Sequence, residues 1–152
     1  MSPQALREAV ASWAAEPGRW AGLVRHDPHE RTFALLHRDD ELEVYLVCWM
    51  PGHDTGFHDH DDSAAEVAVV RGSVREERLA LGASVEATIA AGESRAVPRS
   101  AIHRIRHAGQ EPAITLHAYS PPLSSVGTYE VDENGALLRH PRPAEVPLAA
   151  VA

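Results

Sequence analysis

Leu6, Val10 and Trp13 recur at the spacing of one helical face, and Ser2-Pro3 ahead of them supplies a cap and a first-turn proline. Pro17-Gly18 stops the pattern, so an amphipathic helix is predicted over residues 3–15. Trp20 to Leu36 is mixed, a short helix or turn leading into a first strand at Thr32–Leu36. Beyond it the rhythm shortens. Apolar-rich runs fall at Leu42–Trp49, Glu66–Val70, Ser73–Leu79, Val85–Ala90, Ser94–Val97, Ile102–His107 and Ala113–Tyr119. Gly72, Gly82, Gly92, Pro98, Gly109 and Pro121-Pro122 separate them. Short runs broken by turn residues predict an antiparallel sandwich or barrel rather than alternating βαβ units. Residues 141–152, with Pro141, Pro143 and Pro147, read as a trailing segment.

Composition narrows the class. A chain of 152 residues fits one domain, here expected over residues 1–152. No apolar stretch is long enough to span a bilayer, and Arg7, Glu8 and Glu16 break any signal-peptide pattern. The single cysteine, Cys48, excludes an intramolecular disulfide and a multi-cysteine metal site, so a cytoplasmic location is expected. All 14 basic residues are arginine, which removes P-loop and Schiff-base chemistry. A net charge of -8 argues against nucleic acid as a partner. The 10 histidines point to metal ligation or proton transfer.

Spacing tells which. In Phe57-His58-Asp59-His60-Asp61, two imidazoles of an extended chain share one face, about 7 Å apart at Cα, and can share one metal. The bland reading is a solvated acidic hairpin. Gly52, His58, His60 and Gly72, then Gly92, Pro98 and His103, resemble the two cupin motifs. Ala65 stands where those motifs carry a glutamate ligand, His107 where they carry asparagine, and Ser100 replaces an inner glycine. Glu66 is one residue out of phase and points to the opposite face. Three histidines without a carboxylate leave open metal positions suited to non-haem Fe(II) and oxygen. Thr115, His117 and Tyr119 alternate along one strand, so a hydroxyl, an imidazole and a phenol face the same way as a candidate relay.

Taken in order, Cys48-Trp49, Gly52-His53, His58-Asp59-His60, Asp62-Ser63, Ile102-His103-Arg104 and Leu116-His117-Ala118-Tyr119-Ser120-Pro121-Pro122-Leu123 resemble the cysteine dioxygenase family of thiol dioxygenases. The resemblance spans residues 42–123, and the H-x-Y-S-P-P element is particular to that family. It implies an all-β cupin jelly-roll barrel, over about residues 31–135, behind a short N-terminal helical segment at about 3–20 and ahead of a tail at about 141–152. It implies ferrous iron on His58, His60 and His103, with Tyr119, His117 and Thr115 as the catalytic set. It implies a small thiol and O2 as partners, L-cysteine going to its sulfinic acid, in a monomer or homodimer without membrane or nucleic acid.

Two departures qualify the resemblance. Mammalian members join a cysteine covalently to the tyrosine; Ala65 occupies that position and no such crosslink can form. Family members acting on cysteine hold its carboxylate with an early-strand arginine, but the gapless match of Leu35-Leu36-His37-Arg38-Asp39 puts Phe33 there. Arg31, two residues earlier, is the candidate in its place, against the alternative of a surface arginine. Other thiols such as 3-mercaptopropionate or cysteamine, a cupin isomerase or lyase, and a non-catalytic metal-binding cupin are the competing functions. His26, His29, His37 and His140 read as surface residues, His53 as a rim residue, His107 as surface or supporting, and Cys48 as packing.

Overall fold

The computed structural model describes residues 1–143. Its helix, α1 (Pro3–Ala14), starts where the Ser2 hydroxyl accepts a hydrogen bond from the Ala5 amide at 3.1 Å. Two short 3-10 turns follow, Pro17–Arg19 and Ala21–Leu23. Eleven strands complete the order: β1 (Thr32–Arg38), β2 (Glu43–Trp49), β3 (His58–Asp59), β4 (Ala64–Arg71), β5 (Ser73–Ala80), β6 (Ala83–Ala90), β7 (Ser94–Val97), β8 (His103–Ala108), β9 (Ala113–Ser120), β10 (Ser125–Val131) and β11 (Leu137–Pro143). They form a five-stranded sheet, β1-β2-β9-β4-β7, and a six-stranded sheet, β11-β10-β3-β8-β5-β6, with antiparallel pairing throughout. This is the cupin-type arrangement.

The inner faces meet in a core that includes Tyr45, Val47, Trp49, Val67, Val74, Ile105, Tyr119 and Val126. A second cluster lies outside the five-stranded sheet, where Leu6, Val10 and Trp13 of α1 cover Val44, Leu46, Cys48, Ala68, Leu116 and Ala118. β2 and β9 are therefore buried on both faces along their whole length. That double burial is why their sequences read as continuous apolar runs rather than alternating ones.

The strand ends differ from expectation by a residue or two, but the end of the chain differs more. The hydrophobic pattern predicts neither β10 nor β11, and β11 runs to Pro143 through a stretch that partly reads as tail. β11 is an edge strand with no buried position, and it accepts Pro141 and Pro143 because, among the described residues, its outer side has no ladder partner. The rest of the predicted tail, 144–152, lies outside the described residues. Among the described residues no helix is long and apolar enough to cross a membrane.

Candidate active site

β3 is only two residues long, yet it sets the site. Its His58 pairs with His103, the first residue of β8, on one side and with Thr128 of β10 on the other. His60 follows two residues on. The ligand-capable atoms of His58, His60 and His103 all lie within 4.8 Å of one another, and all three residues are buried. Hydrogen bonds fix which nitrogens are available. His58 Nδ1 faces the Gly56 carbonyl at 2.9 Å, so this ring is a donor there and keeps Nε2 free. His103 Nδ1 donates to Glu76 Oε2 at 2.8 Å, and its Nε2 is buried without a partner. His60 Nδ1 is likewise buried and unpartnered. Burial holds the pKa values of His58 and His60 well below the usual histidine value, so both rings are neutral and offer lone pairs. Convergent imidazoles with orphaned nitrogens fit a metal ion, and no other group among the described residues satisfies them.

Glu76 supports this centre from β5. Besides His103 it takes Arg78 at 2.9 Å and, from the opposite sheet, Arg95 Nε at 2.5 Å. Burial alone would raise its pKa, but the hydrogen bonds from His103 and Arg78 outweigh that and bring it down to about 2. A fixed carboxylate on Nδ1 orients the His103 ring and makes its other nitrogen more basic.

Beside the centre runs a second set of groups. Trp49 Nε1 donates to Thr115 Oγ1 at 2.8 Å; Thr115 Oγ1 lies 2.7 Å from His117 Nε2; His117 Nδ1 lies 3.4 Å from the Tyr119 hydroxyl. Burial lowers the His117 pKa to about 3, so the ring is neutral and carries one proton. With the Thr115 hydroxyl donating to Nε2, the ring proton sits on Nδ1 and donates to the Tyr119 oxygen. The phenol proton is then free to point at the cavity. Burial also raises the Tyr119 pKa, keeping the phenol protonated. The Tyr119 ring stands edge-on to His60 with centroids 5.1 Å apart. Ala65 is the direct cross-strand partner of Tyr119, so the position of the mammalian crosslink is occupied by a methyl group.

His58, His60, His103, Trp49, His117 and Tyr119 line one small, partly open cavity of about 20 Å³, together with Arg31, Val47, Thr55 and Ile105. Arg31 stands just before β1, its guanidinium 5.0 Å from the Trp49 ring centroid, and burial lowers its pKa to about 10. Phe33, at the position expected from the gapless match, is 45% exposed instead. The arginine is thus brought to the cavity and the phenylalanine is not.

A sequence model of the family described as cysteine dioxygenase type I matches residues 3–132. The chain belongs to the cysteine dioxygenase family. It is similar to cysteine dioxygenase type 1 of Danio rerio, 24% identical over 137 residues, covering 82% of this chain and 68% of the relative. The Rattus norvegicus protein of the same name is 26% identical over 138 residues, covering 84% and 68%. Among solved structures, a protein of Thermus thermophilus superposes with a TM-score of 0.60 at 23% identity, over 66% of this chain and 92% of that one. A Klebsiella pneumoniae protein with a double-stranded β-helix domain gives a TM-score of 0.60 at 17% identity, over 78% and 86%. The two structures speak for the cupin fold alone. Family membership makes the chain, at that level, a dioxygenase-type oxidoreductase with a candidate metal site on the His58, His60 and His103 cluster.

Several groups of this cysteine dioxygenase family member escape a reading of the sequence alone. Trp49 donates to the relay, Glu76 holds His103, and Arg139 and Tyr129 hold Asp59. For Glu76 a signal existed: it falls in phase with the buried Val74, so an acidic side chain was due on the inner face. His53, expected at the rim, is 9% exposed and its Nδ1 accepts from the Met50 amide, which makes it part of the turn.

Proposed function

We propose that this chain is an iron(II)-dependent thiol dioxygenase that oxidises L-cysteine with O2 to cysteine sulfinate. The observation that carries the reading is the meeting, in one cavity, of three buried convergent imidazoles, a phenol and a guanidinium. His58, His60 and His103 would hold the metal. When bound, ferrous iron supplies a docking point for thiol and O2 and favours the thiolate. Both oxygen atoms end on sulfur, and sulfur supplies all the electrons, so no further reductant is needed.

The chain's own residues do the rest. Arg31 binds the substrate carboxylate, its planar fork matching two oxygens. Tyr119 holds a proton at its hydroxyl where negative charge develops, and His117, Thr115 and Trp49 fix that hydroxyl's direction. Val47 and Ile105 help keep water out. The cavity's size favours a small thiol over a peptide.

The test is metal analysis of protein purified without oxygen, followed by oxygen-electrode assays with L-cysteine, 3-mercaptopropionate and cysteamine. About one iron per chain and fastest uptake with L-cysteine are expected. Arg31→Gln should lose the preference for the two carboxylate-bearing thiols over cysteamine. Absence of oxygen uptake with every thiol would overturn the proposal.

A further inference from the structure

Asp59 lies between His58 and His60, and by strand alternation its side chain leaves on the face opposite theirs. Its carboxylate is nonetheless among the most heavily bonded groups in the protein. Arg139 Nε donates to Oδ2 at 2.8 Å and Arg139 Nη2 to Oδ1 at 3.0 Å, a bidentate pair. The Tyr129 hydroxyl donates to Oδ2 at 2.5 Å, and the Gly127 and Asp61 amides donate to Oδ1 at 3.2 and 2.9 Å. Arg139 also approaches Asp61 at 3.8 Å.

Gly127 shows that this arrangement constrains the sequence. Its φ is not in the left-handed region, so the backbone does not require glycine. The space does: a Cβ there would lie 2.2 Å from Arg139 Nε and 2.6 Å from Asp59 Oδ2. The guanidinium crosses the Gly127 Cα to reach Asp59. β11, which delivers Arg139, buries no residue of its own and contributes nothing to either apolar cluster.

We infer that Arg139 is a positioning residue for the metal centre: through Asp59 it fixes the backbone that carries His58 and His60, and Gly127 keeps the path of its guanidinium open. This rests on the metal-centre reading above. His103 is held separately by Glu76, so each part of the ligand set has its own carboxylate anchor. β3 is too short to hold His58 and His60 through its own ladder, since it has one pair with β8 and two with β10. The Arg139 clamp supplies the missing constraint.

The experiment is Co(II) titration of the metal-free protein, followed by visible absorption in competition with a chelator. Arg139→Gln should weaken Co(II) binding by about 10–100-fold, the usual cost of losing a group that orients a ligand. Gly127→Ala should do the same by displacing the guanidinium. The double variant should be no worse than either single one, because both act through one clamp. Arg139→Lys should not rescue, lacking the fork. Arg142→Ala, on the same exposed strand, should bind as the parent does. Melting of the metal-free forms separates folding from positioning. Variants that melt earlier but bind Co(II) as tightly as the parent would overturn the inference, as would additive losses in the double variant. A parent that binds no Co(II) would instead overturn the metal-centre reading, and this inference with it.

Discussion

The Tyr119 hydroxyl lies 3.4 Å from His117 Nδ1, at the cavity end of the relay. Tyr119→Phe should keep its iron and still bind thiol, because no ligand candidate depends on the phenol. Turnover should fall by about 10²–10⁴-fold, or oxygen uptake should run ahead of sulfinate formation, which product analysis beside the oxygen electrode measures. Glu76→Gln acts on the metal instead. It should weaken Co(II) binding by about 10–100-fold by loosening the His103 ring. The same residue predicts a pH response. Its folded-state pKa, about 2, lies below the ordinary 4.5, so its stabilisation is complete above about pH 4.5 and is lost as pH falls towards 2. Acid titration of the circular dichroism signal should show a shallower loss in that window for Glu76→Gln. The residues legible from spacing alone were those whose partners lie two positions away, His58 with His60 and, along β9, Thr115 with His117 and His117 with Tyr119, whereas His103 and Arg31 came from the motif resemblance. Glu76, Trp49 and Arg139 were not, because their partners are 27, 66 and 80 residues distant.

At the scale of elements, α1 and the metal centre lie on opposite faces of the five-stranded sheet. Leu6, 2% exposed, packs beneath α1 in the outer cluster, away from the cavity. Leu6→Ala should therefore cost about 2–5 kcal/mol in urea unfolding while leaving metal binding of the folded protein unchanged. A loss of metal affinity in that variant would show that the helix and the centre are coupled. Helix α1 was legible because its cap, spacing and stop agree, and β2 and β9 because double burial leaves unbroken apolar runs. β10 and β11 were hidden. Much of β10 and all of β11 is exposed or half-buried, and Pro141 and Pro143 speak against a strand unless its edge position is known. β3 offered no strand signal at all, since His58–Asp59 is too short for any period to register.

Across the whole molecule, the two sheets bring five separate stretches of chain to one cavity: Arg31 ahead of β1, Trp49 from β2, His58 and His60 around β3, His103 from β8, and the relay from β9. The Glu76–Arg95 pair ties one sheet to the other directly behind His103. The fold thus brings the His58, His60 and His103 imidazoles and the Tyr119 phenol to one cavity from different sheets. If the proposed activity holds, both atoms of O2 pass to the sulfur of a small thiol, and mass spectrometry of the product formed by the iron-loaded protein from L-cysteine under ¹⁸O₂ is the decisive measurement. Cysteine sulfinate with both sulfinate oxygens labelled is expected; sulfinate carrying oxygen from water, or cystine as the sole product, would overturn the proposed dioxygenase activity.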